Sequence, residues 1–128
     1  AVRKMTPAPR TVGLIATTGT VRSGLVARTF AAAGIEVIVP SPRDQERVMT
    51  AIYGKKGIKA GVTAGAPRAA LLGVAAGLIR RGAQAVMAGC TEVPLALRPG
   101  DLSVPLVDPL TIGARAAVRR SGARLRRS

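Results

Sequence analysis

A chain of 128 residues with 20 basic side chains against 6 acidic ones carries a formal charge of +14, and it is the size of one ordinary domain with a core of its own. Apolar residues make up 48% of it but aromatics only 2%, so the core must be built from Ala, Val, Leu and Ile, and a disordered chain is excluded. With no histidine and one cysteine, an internal disulfide, a Cys–His catalytic pair and a Cys/His zinc site are excluded too, and no metal is expected.

No apolar stretch reaches the roughly 18 residues needed to span a bilayer, and the N-terminus lacks the apolar core of a signal peptide. A cytoplasmic protein with no membrane partner is the expectation. The charge invites a nucleic-acid reading, yet the arginines are scattered. The one dense cluster, Arg119, Arg120, Arg124, Arg126 and Arg127, lies in a tail without aromatic side chains for base stacking, so nucleic acid is not the expected partner. The chain begins Ala1-Val2-Arg3-Lys4, with no initiator methionine. Processing, a start at Met5 and membership of a longer polypeptide remain as alternatives.

Residues 1–10 are basic and hold Pro7 and Pro9, which keep their neighbours extended, as in a lead-in or linker. Thr11 to Ala16 reads as a buried strand. It breaks into the loop Thr17-Thr18-Gly19-Thr20, whose hydroxyls and N–H groups suit a carboxylate or phosphate; a tight turn with a threonine cap accounts for the same residues. A helix is expected from about Val21 to Ala33, closed by Gly34. The loop is not a P-loop, and no dinucleotide fingerprint occurs.

Ile35 to Pro40 reads as a second strand. Ser41 then caps a helix with Pro42 in its first turn, apolar at Val48, Met49 and Ile52 and interrupted by Gly54 and Gly57. Lys55, Lys56 and Lys59 follow; Lys59 differs in preceding Ala60-Gly61. A helix from about Pro67 to Arg81 presents Leu71, Leu72, Ala75 and Leu78 as a core face. Next come a strand at Ala85 to Ala88, a loop containing Pro99-Gly100-Asp101, a short strand at Val104 to Val107, and a last helix from Pro109 to about Arg120 capped by Asp108. Strands alternating with helices predict an α/β fold: a three-layer sandwich with a roughly four-stranded parallel sheet. Residues 11–120 form the domain and residues 121–128 a basic tail.

The run Ala85 to Ala88 stops at Gly89-Cys90-Thr91-Glu92. In an open α/β sheet the carboxyl ends of the strands face the ligand crevice, which makes Cys90 the first catalytic candidate. Thr91 is expected to cap a short helix with Pro94 in its first turn, and a thiol at a helix N-terminus has a lowered pKa. A lone cysteine also serves as small apolar filler. Its place just past the strand, between glycine and threonine, is what favours chemistry.

Four segments carry a resemblance beyond periodicity: Val12 to Gly24, Ile52-Tyr53-Gly54 with Gly57 to Gly61, Gly89 to Leu95, and Pro105 to Pro109. Together, over about Thr11 to Val118, the chain resembles the aspartate/glutamate racemase family. The resemblance implies an isomerase that needs no pyridoxal phosphate or other cofactor, built from two similar α/β domains with a small dicarboxylic amino acid in the cleft between them. Two cysteines would stand on opposite faces of the α-carbon, one removing the proton and the other returning it. Cys90 maps onto the second of the pair. Thr18, Gly19, Thr20 and Thr91 would bind the substrate's carboxylates, Lys59 would pair with one of them, and Glu92 would support the site.

The family's other half, with its own cysteine and a substrate-holding arginine, has no counterpart in this sequence. The chain therefore reads as the second domain of such an enzyme, inactive alone and completed by a first domain of the same polypeptide or by a complementing subunit; a homodimer joining two copies of Cys90 is a further arrangement. The alternatives are an inactive remnant, a dicarboxylate-binding module, and a single-cysteine decarboxylase-like relative that protonates a planar intermediate.

Overall fold

The computed structural model describes residues 9–107. Strands β1 (Thr11–Ile15), β2 (Glu36–Ile38), β3 (Ala85–Ala88) and β4 (Leu106–Val107) form one sheet in the order β2-β1-β3-β4, with every pair parallel. Between them lie helices α1 (Thr18–Ser23), α2 (Leu25–Ala31), α3 (Pro42–Tyr53), α4 (Ala66–Arg80) and α5 (Val93–Ala96), and a 3-10 turn at Ile58–Ala60. The expected three-layer α/β sandwich is the architecture found. Most of the basic lead-in, the helix expected from Pro109 to about Arg120 with its cap Asp108, and the tail lie outside the described residues.

Alternation along the two central strands sorts the core onto both faces of the sheet. Val12, Leu14, Ala85 and Met87 pack with Phe30 and Ile35 on the side covered by α2. Ile15, Val86 and Ala88 pack with Val48, Ile52, Leu71, Val74 and Leu78 on the side covered by α3 and α4. All four residues of β3 are buried, as expected of a central parallel strand. Gly13 sets the approach of α4: a Cβ there would stand 2.9 Å from Leu78 Cδ1, so the missing side chain lets the helix lie close on β1.

The element boundaries differ from expectation in informative places. The helix expected from Val21 to Ala33 is two helices, because Gly24 adopts a left-handed conformation with φ of 68° and ends α1 where α2 begins. The first of them starts at Thr18, with Thr17 as its cap, so Thr18 to Thr20 form a helical turn and not a loop. On α3, Ser41 and Pro42 play their expected parts, the Ser41 hydroxyl accepting from Asp44 N at 3.2 Å. On α4, Leu72 is only partly buried and Val74 takes the core position instead.

Candidate functional site

From β1 the chain passes to β2 on one side, then returns through α3 and α4 to enter β3 on the other side of β1. In an open α/β sheet such a reversal is where a ligand crevice lies, at the carboxyl ends of the strands, here those of β1 and β3. Register fixes what stands there. Ile15 pairs with Ala88, and Gly89 N donates to Ile15 O at 2.8 Å, so residues 16–20 and 89–92 leave the sheet side by side. A Cβ on Gly89 would lie 2.7 Å from Ala16 Cβ and 2.8 Å from Leu14 Cδ1; only glycine lets the two strand ends close to this distance.

Cys90, the next residue, is half-buried. Burial pushes its thiol pKa up, and the neighbouring Glu92 carboxylate adds to that, while the backbone N–H groups of Val93 and Glu92 pull it down by less. The expectation of a lowered pKa is thereby corrected. Helix α5 has four residues, too few to offset desolvation of a thiolate. The expected cap is corrected as well: Glu92, not Thr91, holds the N-cap position, in a helical conformation and with no side-chain cap bond. Pro94 does sit in the first turn. Thr91 is exposed, and its hydroxyl helps to lower the pKa of the Glu92 carboxyl.

Lys59 reaches this cluster from the 3-10 turn. Its Nζ donates to Glu92 Oε2 at 2.8 Å and stands 5.6 Å from the centroid of the Tyr53 ring. The hydrogen bond and the opposite charge raise the lysine's pKa and lower that of Glu92. Lys59, Glu92 and Cys90 thus form one electrostatic group, with Lys59 held by a carboxylate of the chain itself.

The threonine turn forms the facing edge. Thr17 Oγ1 accepts from Thr20 N at 3.5 Å and lies 3.2 Å from Thr20 Oγ1. Gly19 is exposed, and Thr18 and Thr20 are partly buried. Two residues that sequence reasoning missed hold the turn from α3. Gln45 Nε2 donates to Ala16 O at 2.9 Å and to Thr18 Oγ1 at 3.3 Å, and Met49 Sδ accepts from Thr18 N at 3.3 Å. A signal was present: Gln45 is a polar residue on the stripe that continues through Val48, Met49 and Ile52.

A cavity of about 610 Å³ lies elsewhere, between α3 and α4, lined by Arg43, Arg47, Lys55, Lys56, Ala51 and Pro67 among others. None of the candidate residues lines it; the Cys90 cluster occupies a shelf at the carboxyl ends of the two central strands, β1 and β3. Behind the shelf, Arg68 grips Asp101 through two bonds of 2.7 and 3.0 Å and also donates to Ala96 O at 3.2 Å. That clamp ties the loop after α5 to α4. In chemical terms the shelf offers one thiol, one ammonium and a set of hydroxyls: groups that bind carboxylates and exchange a proton.

A family model described as Asp/Glu/Hydantoin racemase matches residues 1–117. Solved structures with the same fold include a Yersinia pestis protein provisionally described as an Asp/Glu racemase, 32% identical with a TM-score of 0.73, covering 91% of this chain and 50% of that one. An aspartate racemase homologue from Pyrococcus horikoshii OT3 is 25% identical with a TM-score of 0.72, covering 91% of this chain and 50% of its own. A protein from Pectobacterium carotovorum subsp. carotovorum, described as uncharacterized, is 37% identical over 86 residues, which are 67% of this chain and 55% of that protein. The chain spans about half the length of these relatives.

Proposed function

Because the chain belongs to the Asp/Glu/hydantoin racemase family, we propose that it supplies one wall of a cofactor-independent racemase site for aspartate or glutamate, with Cys90 as one of its two proton-transferring thiols. The observation that carries this reading is the position of the single cysteine. It follows β3 at the switch point of the sheet, within the charge field of the Lys59–Glu92 pair and next to the threonine turn that follows β1.

An amino-acid α-proton is very weakly acidic, and its removal leaves a carbanion that needs fixed positive charge and hydrogen-bond donors nearby. Lys59 supplies the charge by exchanging its Glu92 partner for a substrate carboxylate; Thr18, Thr20 and Thr91 supply hydroxyl donors. Cys90, its pKa raised by burial, rests as a neutral thiol. In one reaction direction it delivers its proton to the planar carbanion from its own side and is left as a thiolate. In the reverse direction that thiolate takes the α-proton back.

Inversion requires a second acid/base group on the opposite face, and Cys90 is the only cysteine of this sequence. A second α/β domain facing the shelf supplies it, from the same polypeptide or from a complementing subunit. Three large apolar side chains are exposed on elements bordering the crevice, Leu25 at 61%, Tyr53 at 53% and Leu95 at 54%, as suits a surface that another domain covers. Two measurements on the chain test the reading. Titration with L-aspartate or L-glutamate is expected to shift the amide resonances of Gly19, Thr20, Cys90 and Thr91, and chiral chromatography is expected to find no inversion. Shifts absent from those residues would overturn the site, and inversion by the chain alone would overturn the need for a second domain.

A further inference from the structure

We infer that Gln45 is a positioning residue that fixes the Thr18 hydroxyl as a hydrogen-bond donor toward the substrate carboxylate, an inference that rests on the racemase reading of the shelf. The orientation of the Gln45 amide is settled by its surroundings. The Ala16 carbonyl oxygen can only accept, and it lies 2.9 Å from Nε2, so the nitrogen and oxygen of this amide cannot be exchanged. The same Nε2 therefore also donates to Thr18 Oγ1, at 3.3 Å.

A threonine hydroxyl has one proton and two acceptor lone pairs. With Nε2 donating to it, Thr18 Oγ1 is an acceptor on the side facing α3, and its own proton must point elsewhere. It does not turn back to the glutamine: Gln45 Oε1 is buried and has no hydrogen-bond partner among the described residues. The Thr18 backbone N–H is occupied too, by Met49 Sδ at 3.3 Å. Helix α3 thus takes up one lone pair and the amide proton of Thr18 and leaves the hydroxyl proton for a ligand in the crevice.

The buried, unpaired Oε1 is the second observation. A methionine would fill similar space without a stranded oxygen but could donate to neither Ala16 O nor Thr18 Oγ1, so the amide stands here as a donor. The bond to Ala16 O anchors it, and its second proton orients Thr18.

A double-mutant cycle tests the proposal, with L-aspartate as the probe and the chain followed by NMR titration. Gln45→Met is expected to weaken L-aspartate binding about tenfold when Thr18 is present, and to have no further effect in the Thr18→Val background. Gln45→Glu preserves shape but offers only acceptors, drawing the Thr18 proton inward, and is expected to weaken binding more than Gln45→Met does. A ligand-free measurement stands beside the cycle: Thr18→Val is expected to shift the side-chain amide resonances of Gln45. Equal weakening by Gln45→Met in both backgrounds, with the wild type binding normally, would overturn the proposal and leave the racemase reading standing. Unmoved Gln45 resonances would overturn it without reference to any ligand. If the wild type binds no L-aspartate while the Gln45 resonances still respond to Thr18→Val, the racemase reading falls and the ligand assigned to Thr18 falls with it.

Discussion

Substituting Gly89 by alanine probes the point on which the site's assembly depends. The added Cβ would stand 2.7 Å from Ala16 Cβ and 2.8 Å from Leu14 Cδ1. Ordinary contact begins at 3.4 Å, so these atoms must separate by roughly 0.7 Å, a displacement on the steep repulsive side of the van der Waals curve. Leu14 can rotate its methyl away; Ala16 cannot, since its Cβ moves only with the backbone of β1. The strain therefore falls on the β1–β3 pairing at its carboxyl end, where Gly89 N bonds Ile15 O at 2.8 Å. Overpacking of this kind costs about 1–3 kcal/mol, which for a domain of this size lowers Tm by roughly 5–15 °C. Thermal unfolding followed by circular dichroism reads the shift. The partner substitution Ala16→Gly removes the atom in conflict, so Gly89→Ala should cost less in that background than in the wild type. A Tm for Gly89→Ala within about a degree of wild type, set against that expected loss, would refute the steric account, as would an equal cost in both backgrounds.

The remaining expectations concern charge and the thiol. Since burial raises the Cys90 pKa, alkylation by iodoacetamide should be slower at neutral pH than that of a free peptide cysteine, and its rate should rise at a higher pH; fast neutral-pH labelling would contradict the raised pKa. Asp101, held by Arg68, titrates at about 2 instead of 3.8. A depressed folded-state pKa stabilises the fold above the ordinary value and is lost as pH falls through the folded one. Acid unfolding should therefore steepen between about pH 4 and pH 2, and Asp101→Asn should flatten the curve in that window while leaving Arg68 without its charge partner at neutral pH. An unchanged acid limb would show that the clamp is not maintained in solution. Lys59→Met removes the partner that lowers the pKa of Glu92, so the carboxyl resonance of Glu92 should titrate at a higher pH and L-aspartate binding should weaken. Unchanged affinity would remove Lys59 from the substrate's carboxylate.

The sheet was legible because its strands announce themselves twice over. Val12 to Ile15 and Ala85 to Ala88 are short apolar runs ending in polar glycine segments, and parallel pairing leaves no other way to bury both faces. Cys90 and the Thr17–Thr20 segment stood out as candidates because each follows an apolar run at a strand end, whereas the substrate roles of Lys59 and Thr91 entered only through the family resemblance. Three features resisted. The break at Gly24 depends on one residue taking a left-handed conformation, which a continuing helical period does not reveal. The direction of the Cys90 pKa shift turns on the balance between desolvation and a helix whose length, four residues, is set by tertiary packing. The hold of Gln45 on Ala16 and Thr18 spans 29 and 27 residues, and a polar residue on an apolar stripe says that something is contacted without saying what.

The central claim is that Cys90 exchanges the substrate's α-proton, and the isotope fate of that proton tests it most directly. L-aspartate incubated in D2O with the protein and the second domain proposed to complete its site should return as D-aspartate carrying one deuterium at the α-carbon. In Cys90→Ser, inversion should be lost while L-aspartate still binds. Continued formation of deuterated D-aspartate by Cys90→Ser would contradict the assignment of the thiol as a proton-transferring group.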